Sequence, residues 1–393
     1  MDYIAEYTRW KKMATADSDV IEELAQMNDV QIEDAFYRNL AFGTGGLRGE
    51  IGAGTNRMNV YTVAKASQGL ADYLHKHYSN PSVVIGYDSR RKSKLFAKAT
   101  GSVFAANGVH VFMWPELMPV PTVSFATRYL KTSIGVMITA SHNPSKYNGY
   151  KVYGEDGCQI TTKVAAEVLS EIEKLDVFAD IQAVDFNTCK ERGGIAYIAD
   201  SVYTAYVEEV KKQSVLFHDT VNKDIAIVYT PLNGTGLKPI LRTLKETGYS
   251  NITVVAEQEL PDGKFPTCPY PNPEIKEAMA LGIEYAKKCN ADLLLATDPD
   301  CDRVGIAVKN AGHDYVLLSG NETGMLLLDY ICSQRIRHNK MPRNPVMIKT
   351  IVTTDMGESI AAHYGVKTKN VLTGFKFIGE QIGLLEEKGI EDS

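Results

Sequence analysis

The chain has 393 residues, of which 44% are hydrophobic and 23% are charged, and its formal net charge at pH 7 is −6. This composition is typical of a soluble globular protein, and the length predicts two to three domains. The acidic balance and the lack of any basic tract argue against nucleic acid as the main partner.

The cysteines and the N-terminal segment bear on the cellular compartment. Six cysteines lie at positions 158, 189, 268, 289, 301 and 332, without Cys-x-x-Cys spacing. Residues 1–12 are polar and lack the apolar core of a signal peptide, and no stretch is long enough to cross a membrane. We therefore expect a cytoplasmic protein with reduced thiols and no membrane partner.

Helices and strands are predicted to alternate along most of the chain. The first half contains a helical segment at 1–40, helices at 60–78, 95–107, 123–130, 162–175 and 201–215, and strands at 82–87, 109–113, 133–138 and 150–153. The second half contains strands at 225–229, 252–256, 292–296 and 346–351, and helices at 237–247, 274–289 and 360–364, and the segment 320–332 opens a third unit. This alternation predicts an α/β protein, with residues 1–40 packed outside the core sheet.

One serine stands at the end of the strand predicted at 133–138. Ser141 follows this apolar run, and Asn143-Pro144 and then Tyr147-Asn148-Gly149 supply the turn chemistry that ends the strand. Open α/β sheets place their chemistry at the carboxyl ends of strands, so Ser141 is the candidate nucleophile. The alternative is an ordinary turn or helix-capping serine.

Asp298, Asp300 and Asp302 stand at alternate positions after another predicted strand. Alternate residues of an extended segment point the same way, so these carboxylates can converge and raise one another's pKa. A hard divalent cation with oxygen ligands, Mg²⁺, relieves that cost. An EF-hand is excluded, because Arg303 and Lys309 stand where it needs Gly and Glu. The open alternatives are an aspartyl-phosphate enzyme using Asp298 as nucleophile and a solvated acidic loop.

The glycine-rich segment 42–59 does not fit a nucleotide-binding loop. Arg57 stands where the dinucleotide fingerprint beginning at Gly52 needs a glycine, and the sequence has no Walker motif.

Four segments resemble the α-D-phosphohexomutases, the family of phosphoglucomutase and phosphomannomutase. Thr139-Ala140-Ser141-His142-Asn143-Pro144 is similar to the phosphoserine loop of this family. Asp298-Pro299-Asp300-Cys301-Asp302-Arg303 is similar to its metal loop, which usually has Gly where this chain has Cys301. Phe42-Gly43-Thr44-Gly45-Gly46-Leu47-Arg48-Gly49 resembles the amino-terminal signature, and Thr373-Gly374-Phe375-Lys376 resembles the sugar-selecting loop of the third domain. The segment 148–153 suggests the branch of bacterial glucose-type phosphoglucomutases and phosphopentomutase-like enzymes.

The resemblance implies consecutive phosphohexomutase-type α/β domains with mixed sheets flanked by helices. Domain I is expected at 1–204, domain II at 205–320 and part of domain III at 321–393. The second sugar loop and the fourth domain of the family do not follow Thr373, so the chain is expected to be a truncated form.

The activity implied is interconversion of hexose 1-phosphate and hexose 6-phosphate, with glucose as the expected sugar, through a phosphoserine enzyme and a bound sugar 1,6-bisphosphate. Ser141 would carry the phosphoryl group, and Arg48 would face it. One Mg²⁺ would be bound by Asp298, Asp300 and Asp302, with Ser141 or its phosphate as a further ligand. The substrate-binding residues would be Arg303, Thr373, Gly374 and Lys376.

A general base must deprotonate the sugar hydroxyl. Lys151 is the first candidate, because burial and nearby cations are expected to lower its pKa towards neutrality, and His142 is the second. The expected partners are small sugar phosphates, with glucose 1,6-bisphosphate as activator and intermediate, and the expected assembly is a monomer or homodimer. A mannose- or pentose-specific mutase, a Mg²⁺-dependent aspartyl phosphatase and a catalytically silent sugar-phosphate-binding protein are the alternatives.

Overall fold

The computed structural model describes residues 2–43 and 45–389, so Thr44 of the amino-terminal signature lies outside the described residues. Its helices are α1 (Tyr3–Met13), α2 (Ser18–Gln26), α3 (Asp29–Phe36), α4 (Val60–His77), α5 (Ser93–Ala106), α6 (Val120–Tyr129), α7 (Thr162–Lys174), α8 (Phe186–Glu191), α9 (Asp200–Lys212), α10 (Leu237–Glu246), α11 (Ala256–Glu259), α12 (Lys276–Cys289), α13 (Gly320–Arg337), α14 (Met356–His363) and α15 (Phe375–Glu387). Its strands are β1 (Phe42–Gly43), β2 (Gly46–Glu50), β3 (Ser82–Tyr87), β4 (His110–Met113), β5 (Ile134–Ile138), β6 (Tyr147–Gly154), β7 (Ile195–Tyr197), β8 (Ile227–Thr230), β9 (Ile252–Val254), β10 (Leu293–Thr297), β11 (Val304–Lys309), β12 (Tyr315–Leu318), β13 (Val346–Thr350) and β14 (Lys367–Val371). The predicted α/β class is confirmed.

The first sheet has seven strands in the order β1-β2-β6-β5-β3-β4-β7. Strands β3, β4, β5 and β7 are parallel, whereas β6 runs antiparallel to both β5 and β2. Helices cover both faces: Val83 and Ile85 pack in one cluster with α4 and α5, and Val84 packs in another with α6 and α9. Because both faces are covered, β5 is a continuous run of buried residues.

Helices α1 to α3 form a separate small core beside the sheet. Trp10 and Phe36 are fully buried there, with their ring centroids 5.7 Å apart in an edge-to-face arrangement. Tyr61 of α4 contacts the same tryptophan, at 5.3 Å between ring centroids. The prediction of a helical segment outside the core sheet is therefore confirmed for the three helices between Tyr3 and Phe36.

The second sheet has the order β12-β11-β10-β8-β9. Strands β8, β9 and β10 are parallel, and β10 turns back into the antiparallel strand β11. Met279 of α12 packs on Val228, Leu294 and Ala307 of the sheet. The third sheet consists of β13 and β14, which are parallel, and α13 and α14 pack beside it around Cys332 and Ala361.

Helix α9 joins the first two units. Val202 and Val207 pack in the core cluster that contains α6, while Arg242 of α10 donates a hydrogen bond to Thr204 Oγ1 at 3.1 Å. The boundary expected after residue 204 therefore falls inside a continuous helix, and the domain limits stay a prediction. Within the described residues, no helix combines the length and the apolar character that a membrane span needs.

Candidate active site

The serine loop, residues 139–147, begins where β5 ends. Ser141 is 4% exposed and has φ of 54°, a left-handed conformation that is rare for residues with a Cβ. Its N–H donates to Thr139 Oγ1 at 2.8 Å, and this bond helps to hold the tight turn. Gly149 of β6 lies against the start of the loop, since a Cβ on it would stand 2.5 Å from the carbonyl oxygen of Thr139.

The acidic loop, residues 298–303, connects β10 to β11. Cys301 also has a left-handed φ of 54°, a conformation that glycine adopts without strain. The carbonyl oxygen of Pro299 accepts hydrogen bonds from the N–H and the hydroxyl of Thr235, both at 2.9 Å. The carbonyl oxygen of Asp300 accepts the N–H of Val120 from the first unit at 2.9 Å. The loop is thus held by both units.

The structure brings the serine loop and the acidic loop together from different sheets. Ser141 Oγ donates to Asp298 Oδ2 at 2.7 Å, and Thr139 Oγ1 donates to Asp300 Oδ2 at 3.1 Å. Carboxylate oxygens of Asp298, Asp300 and Asp302 all lie within 4.8 Å of one another. The hydroxyl that we expect to react is therefore in direct contact with the acidic cluster.

The acidic cluster fits a divalent cation. Asp298 and Asp300 are fully buried, and within the described part of the chain Asp300 Oδ1 has no hydrogen-bond partner. Burial, and then the carboxylates of Asp300 and Asp302, raise the pKa of Asp298 well above its ordinary value. A bound cation would offset this repulsion, and an all-oxygen set of this kind suits Mg²⁺.

Lys151 projects from β6 onto the acidic cluster. Its Nζ donates to Asp300 Oδ2 at 2.8 Å and to Asp302 Oδ2 at 3.2 Å, and its side chain is 11% exposed. The expectation that its pKa falls towards neutrality is wrong. Burial does favour the neutral amine, but the negative charges of Asp300 and Asp302 and the hydrogen bond to Asp300 outweigh it and raise the pKa of Lys151.

His142 lies beside Ser141 and within reach of the positive charges of two arginines. His142 Nδ1 lies 3.2 Å from Ser141 Oγ. Burial, together with the positive charges of Arg303 and Arg48, lowers the pKa of His142 to about 4, so its imidazole is neutral at pH 7.

The two arginines differ in their partners. Arg48 lies on β2 opposite Gly149 of β6, is exposed, and has no hydrogen-bond or ion-pair partner among the described residues. Arg303 Nη1 lies 3.5 Å from Glu274 Oε2. Both guanidinium groups are accessible to an anionic ligand.

The structure does not join the predicted sugar-binding segment to this cluster. Thr373 is exposed, Gly374 precedes α15, and the ammonium of Lys376 lies over the ring of Phe377 at 4.5 Å. For the residues that the structure describes, no hydrogen bond or ion pair links these three positions to Ser141 or to the aspartates.

Sequence reasoning left out Arg90, whose guanidinium lies under the serine loop. It hydrogen-bonds the carbonyl oxygens of Ser141, Asn143, Pro144 and Tyr147. The position of Arg90 after a strand could have pointed to this role. Arg90 follows β3, which is parallel to β5 in the same sheet, so the carboxyl ends of both strands lie at the same edge as Ser141.

Family models agree with this architecture. The models described as phosphoglucomutase/phosphomannomutase, alpha/beta/alpha domains I, II and III, match residues 39–177, 204–312 and 319–392. A solved structure from Thermus thermophilus, described as a putative phosphomannomutase, has 22% identity and a TM-score of 0.71, covering 88% of this chain and 72% of that one. This likeness supports the fold.

Curated relatives are more similar in sequence. A phosphoglucomutase of Staphylococcus saprophyticus is 38% identical over 353 residues, which are 90% of this chain and 62% of the relative. A phosphoglucomutase of Staphylococcus aureus is 36% identical over 379 residues, which are 96% of this chain and 67% of the relative. The convergence of the serine loop and the acidic loop agrees with these comparisons. Because three domain models match in order and these relatives are 36% and 38% identical, the chain belongs to the phosphoglucomutase/phosphomannomutase family, the α-D-phosphohexomutases.

Proposed function

We propose that this chain transfers a phosphoryl group to and from hexose phosphates, with Ser141 as the carrier. The observation that carries the proposal is the contact between Ser141 Oγ and Asp298 Oδ2 at 2.7 Å, beside two further carboxylates. A phosphate on Ser141 would place oxygens next to Asp298, Asp300 and Asp302. Mg²⁺ held by these three residues and a phosphate oxygen would neutralise charge on the transferring group.

In the forward step, the bond between phosphorus and Ser141 Oγ breaks and a bond to a sugar hydroxyl oxygen forms, giving a sugar 1,6-bisphosphate. The phosphate that the sugar carried at the outset then passes to Ser141 Oγ, its bond to the sugar oxygen breaks and that oxygen regains a proton, so the net reaction moves a phosphate between positions 1 and 6. Arg48 and Arg303 would hold the transferring group, because neither guanidinium is enclosed by protein.

The proton of the attacking hydroxyl needs an acceptor. His142 and Lys151 are the two candidates: His142 is neutral and its Nδ1 lies 3.2 Å from Ser141 Oγ, whereas Lys151 would first have to lose the proton that Asp300 and Asp302 hold on it. Replacing Lys151 and His142 in turn, and measuring the rate of phosphoryl transfer for each variant, decides which of them accepts the proton.

Glucose is the sugar that we propose, because both curated relatives described above are named phosphoglucomutases. Thr373, Gly374 and Lys376 would contact the sugar or its second phosphate, with glucose 1,6-bisphosphate as the activating ligand. The chain spans 62% of the first relative's length, so the activity of the whole protein is part of the proposal.

The buried position of Asp298 argues against the aspartyl-phosphatase alternative. Asp298 is fully buried, its Oδ1 accepts the N–H groups of Asp302 and Arg303, and its Oδ2 accepts the serine hydroxyl. A nucleophilic carboxylate needs an accessible oxygen, which Asp298 lacks in this arrangement.

Intact mass and peptide mapping, before and after incubation with glucose 1,6-bisphosphate and Mg²⁺, test the proposal. We expect one phosphate on Ser141 in the wild type and in Ser145→Ala, a control in the same loop, and none in Ser141→Ala. A phosphate on Asp298 would favour the phosphatase. Tight binding of the bisphosphate without labelling would favour the silent binding protein.

A further inference from the structure

The guanidinium of Arg90 uses all of its hydrogen-bond donors on the serine loop. Nε donates to the carbonyl oxygen of Ser141 at 3.2 Å, and Nη2 donates to the same oxygen at 2.6 Å and to that of Asn143. Nη1 donates to the carbonyl oxygens of Pro144 and Tyr147 at 3.0 and 3.1 Å. A guanidinium has five N–H donors, and these bonds occupy five.

This arrangement distinguishes Arg90 from Arg48 and Arg303, the other arginines of the site. Its side chain is fully buried and has no donor left for a substrate, whereas Arg48 and Arg303 are exposed. Arg90 therefore acts on the backbone of the loop and not on the ligand.

The carboxylate of Asp88 also holds Arg90 in place. Its Oδ2 lies 3.5 Å from Arg90 Nε, and its Oδ1 accepts the hydroxyl of Ser93 at 2.7 Å and the N–H of Arg90 at 2.9 Å. The charge of Arg90 is thus paired within the interior, and its position is tied to the end of β3.

A loop of the second unit closes over the same group. The ring of Phe265 stacks on the guanidinium, with 5.1 Å between the ring centroid and Cζ. Gly263 forms an isolated bridge with Arg90, and a Cβ on Gly263 would stand 2.4 Å from the nitrogen of Arg91. Arg90 is therefore enclosed between the serine loop and the unit that carries the acidic loop.

We propose that Arg90 is a positioning residue, which gathers four backbone carbonyl oxygens of the serine loop and sets Ser141 against Asp298. This inference rests on the proposed function where it concerns phosphoryl transfer, and on the geometry alone where it concerns the shape of the loop. A displacement of about 1 Å at a reacting atom can cost on the order of 100-fold in rate.

Hydrogen exchange tests the structural part without any activity. Lysine in place of arginine keeps the charge but cannot reach four carbonyl oxygens. In Arg90→Lys we expect the amides of Ser141, Asn143 and Tyr147 to exchange at least about tenfold faster. The matched control is Arg91→Lys, an exposed neighbour, in which exchange stays unchanged. Unchanged exchange in Arg90→Lys, or faster exchange spread evenly over the chain, would overturn the proposal.

The rate of Ser141 labelling by glucose 1,6-bisphosphate tests the functional part. We expect Arg90→Lys to lower the maximal rate on the order of 100-fold, with the half-saturating concentration and the Mg²⁺ affinity within about threefold of wild type. Phe265→Leu, which removes the stacked ring, should show a smaller loss of the same kind.

A purely structural role would lower the amount of folded protein and not the rate per folded molecule. Equal labelling rates in wild type and Arg90→Lys would overturn the role in transfer. Failure of the wild type itself to become labelled would count against the proposed function instead, and the exchange measurements would still decide whether Arg90 holds the loop.

Discussion

Each of the two loops at the site contains one residue with an unusual backbone conformation. Ser141 and Cys301 both have φ of 54°, which costs a residue with a Cβ about 1 kcal/mol or more. The surrounding hydrogen bonds offset that cost: Ser141 N–H binds Thr139 Oγ1, and Cys301 N–H binds the carbonyl oxygen of Asp298. Such strain persists where the neighbouring structure fixes it, and here it lies in the two loops whose side chains meet at Ser141 and Asp298.

Among the three aspartates of the acidic cluster, Asp300 has a buried carboxylate oxygen without a hydrogen-bond partner in the described residues, so its substitution should affect cation binding most. In Asp300→Asn we expect the affinity for Mg²⁺ to fall on the order of 100-fold, because a charged ligand is lost. Mg²⁺ at about one hundred times the wild-type dissociation constant should stabilise the wild type by about 2.7 kcal/mol and the variant by less than about 0.5 kcal/mol.

Calorimetric titration with Mg²⁺ and thermal unfolding with and without a chelator measure both effects. Asp314→Asn, at an exposed carboxylate after β11, is the control and should bind like the wild type. Wild-type affinity in Asp300→Asn would remove this residue from the metal site.

The chemistry of individual residues explains which parts of the site could be predicted from the sequence. Ser141 and the three aspartates stand out because they follow apolar strands, and the structure does bring them together. The pKa of Lys151 could not be predicted, since its direction depends on which charges lie within reach. Arg90 was missed because a charged residue after a strand is usually a solvated cap, and only the fold shows that four carbonyl oxygens converge on it.

At the scale of elements, the long periodic segments were predicted well and the short or polar ones were not. Helix α4 and strand β3 match their predicted ranges almost residue for residue. Strand β14 was missed because Lys-Thr-Lys-Asn-Val has no apolar alternation, and its pairing with β13 decides its conformation. Helix α15 contains two glycines, which weaken the helical signal, and the polar segment at 185–194 contains the short helix α8.

An ion pair whose strength should vary with pH adds to the apolar packing that holds α1. Arg9 of α1 pairs with Asp176 beyond α7, and Asp176 also accepts the N–H groups of Phe178 and Ala179. The Arg9 guanidinium has the largest effect and holds the pKa of Asp176 below its usual range; burial opposes it, and the two backbone N–H groups add to the lowering.

An acid with a lowered folded-state pKa stabilises the fold above its unfolded pKa, and this contribution is lost as the pH falls through the folded-state pKa. We therefore expect Asp176→Asn to lower the stability by about 1 kcal/mol at pH 7, since the pair is partly exposed, and the difference to shrink steadily below about pH 4. Thermal unfolding between about pH 7 and pH 2.5 measures it. Glu173→Gln, at an exposed position on α7, should unfold like the wild type at every pH, and a constant difference for Asp176→Asn would contradict the ion-pair explanation.

At the scale of the whole molecule, the contacts between units determine the site and are the least visible in the sequence. The acidic loop belongs to the second sheet, yet Val120 of the first unit binds its backbone and Phe265 of the second unit stacks on Arg90. No local pattern identifies these partners, because they lie far apart along the chain. The order of the motifs along the chain predicted the domains. Only the three-dimensional packing shows that residues of one domain hold a loop of another.

The third unit also contacts the first, at a point where a small residue is required. A Cβ on Gly379 of α15 would stand 2.6 Å from Cys158 Sγ, so the helix lies directly on this thiol. Burial raises the pKa of Cys158 to about 11, and alkylation needs the thiolate. In Gly379→Leu we expect α15 to move away from the first unit and Cys158 to be alkylated by iodoacetamide at least about tenfold faster.

Peptide mapping by mass at successive times resolves Cys158 from the exposed Cys289, which serves as the internal standard. Gly383→Leu is the matched control on the same helix, because nothing lies within 4 Å of a Cβ there, and it should leave the rate at Cys158 unchanged. If both variants alkylate like the wild type, α15 does not shield this cysteine in solution. If the alkylation of Cys158 is faster by the same factor in both variants, the effect comes from loss of the helix itself, and the contact at Gly379 does not hold the two units together.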